Sequence, residues 1–322
     1  MLAFQNRLLR NFRRLLIGGG TLALLLAGVY TLLFPPVCLI CAVRPDDRPR
    51  VLIIGIDGLT VRALGKGNTR EIDKLMETGA YTVEAQVNFP TMSSPNWASL
   101  LMGATPQDHL IESNDWRPED HAGYSFCGGE KGGGWPTLFH LMTEQKREAH
   151  TVITHDWVGI MRFVPRSHVT TRRFTLVPWY THYITRRQLA KEPDLMFVHY
   201  DHVDGAGHEH GYDSWQYMRA VAQADDYVGE LFADLEGRGL RDKVLVMVVS
   251  DHGATRFGHG GDSAEERTVP WILTGPGVKP GRIEGPVRIH DTAATAAQVL
   301  GLNVPECWSG RAVHEAFLGK LP

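Results

Sequence analysis

The sequence predicts an α/β fold, a doubly wound and mostly parallel sheet with helices on both faces, and two patterns point to it. Apolar runs bounded by turn residues recur: VLIIGI (51–56), YTVEAQV (81–87), TVIT (151–154), DLMFVHY (194–200), VLVMVVS (244–250) and VPWIL (269–273). Several are apolar at every position rather than alternating, as parallel strands covered on both faces require. Between them lie helix-like segments over 94–102, 136–145, 213–236 and 291–300. Strand alternating with helix is the pattern of a doubly wound sheet, and such sheets bind ligands outside the carboxyl ends of their strands.

The N-terminus departs from this pattern. Residues 1–14 form a basic tail with Arg7, Arg10, Arg13 and Arg14, and Leu15 to Phe34 is a run of twenty residues without a charge. At about 1.5 Å per residue it matches a roughly 30 Å hydrocarbon core. A cleaved signal peptide shares the basic start, but this run is longer than a usual apolar region and no small-x-small site closes it. It is read as a transmembrane signal-anchor over 15–34, followed by a tether over 35–50 and a globular domain over 51–322. Arginines before the span place the domain outside the cytoplasm, in the periplasm, lumen or cell exterior.

Composition is otherwise globular, with 43% hydrophobic and 21% charged residues in 322. The formal charge is −3, and with the four arginines before residue 15 set aside it is −7. An acidic domain argues against binding a nucleic-acid duplex. Four cysteines, Cys38, Cys41, Cys127 and Cys307, are too few for a disulfide scaffold. The Cys38 and Cys41 pair is open to a disulfide, lipidation or two inert thiols.

The strand ends carry the chemistry. Asp57 follows VLIIGI, Asp251 and His252 close VLVMVVS, and Asp204 lies a few residues past DLMFVHY. One acid after a strand is usually a cap or turn former; three, two of them with nearby histidines, ask for another explanation. In DHVDGAGHEHG, His208 stands four residues after Asp204 in what reads as a Gly-rich turn, and His259 stands seven after His252. Carboxylate and imidazole are ligands of borderline divalent metals, zinc above all. Six such ligands exceed one open site and fit two ions about 4 Å apart, a pair suited to in-line displacement at phosphorus. Among the remaining acids, Asp225 and Asp226 read as a solvated helix face, and Glu265, Glu266 and Asp291 as organisers of loops and helix starts.

FPTMSSPNW, Phe89 to Trp97, then offers three hydroxyls, Thr91, Ser93 and Ser94, just before a helix. Each is a capping residue by default. Together with IGIDG, DHVDGAGHEHG, SDHG and HGGDSAEERTVPWILTGPG, this stretch resembles the alkaline phosphatase superfamily, specifically its type I phosphodiesterase/nucleotide pyrophosphatase branch, over Val51 to Leu318. The resemblance implies two zinc ions, one held by Asp57, Ser93, Asp251 and His252 and the other by Asp204, His208 and His259. It also implies that Ser93 is the nucleophile, Thr91 and Ser94 being turn or cap hydroxyls, and that Asn114 binds a phosphoryl oxygen. A helix N-terminus favours the anion this chemistry needs.

Two departures bear on substrate. Ser94 stands where nucleotide-cleaving members carry an aromatic residue, and His259 follows SDHG without their long insertion. A small phosphodiester, a lipid head group or glycan phosphate, is therefore expected ahead of a nucleotide. The tight spacing resembles the ethanolamine-phosphate transferases that act on lipid or glycan, and Ser93-Ser94-Pro95 is a partial match to the sulfatase nucleophile motif. A membrane-tethered binding module on a retired fold is the non-enzyme alternative. Trp97, Trp116, His155, Trp157, His182 and His210 are candidates for lining the substrate cleft, with core packing the competing role for the buried ones.

Overall fold

The computed structural model describes residues 48–319 apart from 67, 68, 130 and 133. The apolar run over 15–34 and the Cys38 and Cys41 pair lie outside the described residues. Among the described residues no helix is long and apolar enough to cross a membrane.

Eight strands form one sheet: β1 (Arg50–Ile56), β2 (Ala80–Gln86), β3 (Thr151–His155), β4 (Thr171–Phe174), β5 (Leu195–Tyr200), β6 (Val244–Val249), β7 (Thr268–Thr274) and β8 (Gly281–Arg282). Their spatial order is β4-β3-β5-β1-β6-β7-β2-β8. All six apolar runs of the sequence are strands. β1 pairs in parallel with β5 and β6, and Ile53 stands between Phe197 and Met247. β7 is antiparallel to both β6 and β2. The path from β6 to β7 contains only the short helix Ala264–Arg267; no longer helix carries the chain back along the sheet, and it returns antiparallel beside the strand it leaves. β4 and β8 escape the apolar pattern because they are short and exposed, with sequences TRRF and GR.

The longer helices are α1 (Arg70–Thr78), α2 (Ser93–Met102), α3 (Leu138–Gln145), α4 (Pro178–Leu189), α5 (His202–His210), α6 (Trp215–Gly237) and α7 (Asp291–Val299). They cover both faces. Val51 and Ile53 of β1 pack with Trp97, Leu101, Phe139 and Ala293; Leu52, Ile54 and Ile56 pack with Tyr217, Val221, Val228 and Leu231 of α6. This alternation along one strand serves two cores, which is why β1 is apolar throughout.

Two expectations are corrected here. DHVDGAGHEHG is helical as α5, not a turn: Asp204 and His208 are one helical turn apart with Oδ2 and Nε2 at 3.1 Å, and Gly207 is there because a Cβ would meet the Tyr212 ring at 2.4 Å. Asp225 is buried rather than solvated. Its carboxylate accepts from the Ile72 and Glu71 amides at 2.8 and 3.0 Å, capping α1 from across the fold. Glu266 and Asp291 organise loops as expected, accepting from the Gly261 and Arg288 amides. Cys127 and Cys307, 180 residues apart, form a disulfide with Cα atoms 5.5 Å apart.

Candidate active site

The central strands β5, β1 and β6 end side by side, and the acids that follow them converge. Asp57 leaves β1, Asp251 and His252 leave β6, and Asp204 sits in the first turn of α5, just past β5. Gly58 makes the convergence possible: its φ is +64°, and a Cβ would stand 2.6 Å from Asp204 Oδ1.

Each group in the first cluster has one polar atom tied to protein and one left over. Asp57 Oδ2 accepts from the Trp97 indole and is 3.0 Å from His199 Nε2. Asp251 Oδ1 accepts from the Gly58 amide at 3.3 Å. His252 Nδ1 is 3.1 Å from the Gly253 carbonyl, which holds a proton on Nδ1 and leaves Nε2 as the nitrogen that a metal would bind in exchange for its proton. The remaining atoms, Asp57 Oδ1, Asp251 Oδ2 and His252 Nε2, are buried without a hydrogen-bond partner, and these three residues present ligand atoms within 4.8 Å of one another. Buried polar atoms are rarely orphaned. Three aimed at one point fit a divalent cation.

A second group adjoins it, formed by Asp204, His252 and His259. His259 Nδ1 donates to the Thr91 carbonyl at 2.7 Å, and its Nε2 lies 3.0 Å from His208 Nε2 and 3.7 Å from Asp204 Oδ1. Two imidazole nitrogens at this distance match neighbouring ligands on a tetrahedral ion with bonds of about 2.0–2.1 Å. Tyr212 donates to Asp204 Oδ1 at 2.5 Å and fixes that carboxylate.

The charge balance is strained. Burial opposes a charge on Asp57, but the hydrogen bond from His199 and the close approach of His252 Nε2, 3.3 Å from Oδ1, override it and hold the carboxyl well below its usual range. Burial and then the Asp57 charge push Asp251 well above it. Burial likewise opposes a charge on His252, yet Asp251 and Asp57 raise its pKa to about 10. Burial keeps His259 neutral, lowering its pKa, while the Asp204 contact raises that of His208. Carboxylates packed this closely draw protons onto the histidines, and a cation entering would displace them.

Ser93 opens α2 and is buried to 5% exposure. The Ser94 amide donates to Asn114 Oδ1 at 2.8 Å, and Arg162 donates to the Asn114 carbonyl, so Asn114 is held beside the Ser93 turn. Thr91 instead ties the serine loop to the His259 loop, because its hydroxyl donates to the Gly261 carbonyl and accepts from the Gly260 amide.

The aromatic candidates fare differently. Trp97 is fully buried beneath Asp57 and is no part of a cleft. Trp116 is 8% exposed and stands edge-on against His121. His155 is buried with Nδ1 on the Trp157 carbonyl, and His182 is buried against Tyr200 and Glu230. In each case the competing role of core packing holds. Trp157 is half-buried, and His210 opens outward, with His208, Arg256 and Phe257, onto a groove of about 410 Å³.

His199 went unread in the sequence. It is fully buried on β5, with Nε2 on Asp57 and Nδ1 3.4 Å from Asp156 Oδ1. Burial opposes its charge, but these two carboxylates raise its pKa to about 10. Asp57, His199 and Asp201 also form a third group of ligand-type atoms, but His199 is already spent on the carboxylates at either side.

A mixed sheet gathering carboxylates and imidazoles at the ends of its central strands, with a hydroxyl opening a neighbouring helix, defines an alkaline phosphatase-like α/β protein. Solved structures agree on the fold. The chain matches human ectonucleotide pyrophosphatase/phosphodiesterase 5 with a TM-score of 0.69 at 15% identity, over 84% of this chain and 100% of that one. It matches a 2-O GAG sulfatase with a TM-score of 0.68 at 17% identity, over 85% and 75%.

Sequence narrows the class. Residues 51–263 match the type I phosphodiesterase/nucleotide pyrophosphatase family, and the chain belongs to that family of hydrolases acting on phosphoric esters. Relatives include rat ectonucleotide pyrophosphatase/phosphodiesterase family member 3, 26% identical over 64% of this chain and 25% of the relative. Another is ectonucleotide pyrophosphatase/phosphodiesterase 2 of Saccharomyces cerevisiae, 24% identical over 65% and 48%. The chain thus spans a quarter to a half of the length of these relatives.

Proposed function

We propose that this protein is a two-zinc phosphodiesterase, anchored to a membrane by residues 15–34 with its catalytic domain outside the cytoplasm. The observation that carries the reading is the set of three orphaned ligand atoms on Asp57, Asp251 and His252, adjoining Asp204, His208 and His259. These groups and Ser93 would hold two divalent ions, which would supply positive charge for ionising an attacking hydroxyl and neutralising a leaving oxygen. The Ser93 oxygen bonds to phosphorus as the bond to the leaving alcohol breaks, giving a seryl-phosphate that water then cleaves. Asn114 Oδ1 is spent on the Ser94 amide, and its side-chain N–H group is left to bind a phosphoryl oxygen. The Cys127–Cys307 disulfide supports an oxidising compartment.

The placement of the aromatics favours a small head-group or glycan phosphodiester over a nucleotide. Ser94 is buried and bonded to Asn114, and neither Trp97 nor Trp116 opens to a cleft. A stacking platform for a base, worth about 1–3 kcal/mol, is not built from these residues. One solved family member was captured with AMP, so thymidine 5′-p-nitrophenyl phosphate belongs in the assay beside bis-p-nitrophenyl phosphate and p-nitrophenyl sulfate. Ser93→Ala is expected to abolish turnover of the diester with zinc content unchanged, and Thr91→Ala to weaken zinc binding through the His259 loop. Turnover surviving in Ser93→Ala sinks the reading. A thymidine ester preferred by more than about a hundredfold, roughly 2.7 kcal/mol, sinks the head-group preference.

A further inference from the structure

Between Asp156 and Glu192 the chain carries seven Lys or Arg and no acid, in a protein of net charge −3. The same segment holds the densest exposed apolar patch among the described residues. Leu176 and Trp179 are 81% and 62% exposed, and Phe174, Val177, Tyr180 and Tyr183 are exposed beside them. The Tyr180 and Tyr183 rings stack at 6.0 Å, and Arg187 lies over Tyr183. Arg166, Arg173 and Arg187 are exposed around the patch, whereas Arg186 is neutralised by Asp234 and Glu230. Nothing in the proposed chemistry uses these side chains.

Their position in the fold gives them a direction. Phe174 ends β4 at the same edge of the sheet where β1, β5 and β6 deliver the ligands, and its ring lies 5.2 Å from that of His155. Trp157, next along this edge, stacks 6.0 Å from His199, which holds Asp57. The patch therefore borders the catalytic edge.

We infer that the Phe174 to Tyr183 face docks onto an anionic lipid bilayer and presents the catalytic edge to the head-group layer. Exposed Trp and Tyr beside Leu and Val, with exposed arginines in a segment that itself carries no acid, is the chemistry of an interfacial surface. A protein or nucleic-acid partner could use arginine and aromatics too, but the sequence supplies the bilayer. An uncharged twenty-residue run ends at Phe34, and residues 35–47 stand between it and the first described residue. Thirteen residues reach at most about 45 Å, so the domain never leaves the neighbourhood of a surface. The inference rests on the proposed membrane anchor but not on the chemistry at Ser93.

The test uses the full chain in vesicles of phosphatidylcholine and phosphatidylserine in a three-to-one ratio, with acyl chains brominated to quench buried tryptophan. The expected result is bromine-dependent quenching that Trp179→Phe largely removes and Trp215→Phe, an exposed tryptophan on α6, leaves in place. Arg173→Glu, a change of two charges, is expected to lower the docked-to-free ratio about thirtyfold with anionic lipid and to do nothing in phosphatidylcholine alone. Zinc content verifies folding of each variant, and turnover of soluble bis-p-nitrophenyl phosphate tests the phosphodiesterase reading separately. Equal quenching in wild type and Trp179→Phe overturns the inference. So does a cross-linked dimer through Leu176→Cys, which makes the face an interface between copies, and so does a chain that fails to float with the vesicles.

Discussion

His199→Leu is the most discriminating perturbation of the proposed centre. The imidazole touches no substrate; it is one of two donors to Asp57 Oδ2, the other being the Trp97 indole, each at 3.0 Å. Together they fix the carboxylate so that Oδ1 faces Asp251 and His252. A buried hydrogen bond to a charged group contributes about 1.5–3 kcal/mol. Removing the partner that orients a metal ligand commonly weakens metal binding by about 10–100-fold, or about 1.4–2.7 kcal/mol. Because Trp97 remains, the middle of the range applies, about 2 kcal/mol or roughly thirtyfold in zinc affinity. The leucine also leaves Asp156 without its imidazole, although that carboxylate keeps the Asp201 amide at 2.8 Å.

The assay is competition for zinc between metal-free protein and a chromogenic chelator, which reads Kd without turnover. His199→Gln supplies the control, since its amide N–H can reach Asp57 Oδ2; it is expected within about threefold of wild type. Thermal unfolding of the metal-free variants separates a positioning role from a merely structural one. Zinc affinity unchanged within twofold in His199→Leu refutes the reasoning. Equal loss in the leucine and glutamine variants, tracking lost stability without metal, refutes it too.

Other outcomes follow from the same geometry. Asp57→Asn, Asp204→Asn, His208→Ala, Asp251→Asn, His252→Ala and His259→Ala are each expected to lower bound zinc and activity, with His210→Ala much milder; metal analysis of the purified variants decides, and a His210→Ala protein short of one ion with a full His259→Ala site reassigns the ligand. His109, fully buried, accepts the Ile111 amide at Nδ1 and has Nε2 3.0 Å from Ser99 Oγ, and burial lowers its pKa to about 3. The unfolded chain binds this proton near pH 6.5 while the folded one does not, so stability is full above that pH and lost as pH falls, by about 2 kcal/mol at pH 5. Denaturant unfolding of wild type against His109→Gln checks the sign: the wild-type advantage should shrink from pH 7 to 5, and a pH-independent difference removes the argument.

Among the proposed ligands, Asp57, Asp251 and His252 were legible in the sequence because each closely follows an apolar run, and the rule that ligands collect at strand ends needs no knowledge of strand order; His208 and His259, farther along the chain, were read from their spacing to Asp204 and His252. Helix α5 was not legible, since three glycines in eleven residues read as a turn; the Tyr212 ring over Gly207 and the Asp204–His208 pairing outweigh that local preference. Trp97 was misplaced for a similar reason. Following a nucleophile motif, it reads as a cleft residue, and only the packing of α2 on the sheet carries its indole under Asp57. His199 lies deepest out of reach. Within DLMFVHY it is one polar residue in a buried strand, 142 positions from the carboxylate it holds. The parallel register of β1 and β5 pairs it with Gly55, two residues before Asp57, and no periodicity encodes register between strands so far apart. A metal ligand announces itself at its own strand end, whereas the group that orients it arrives across the sheet from a neighbour the sequence does not name.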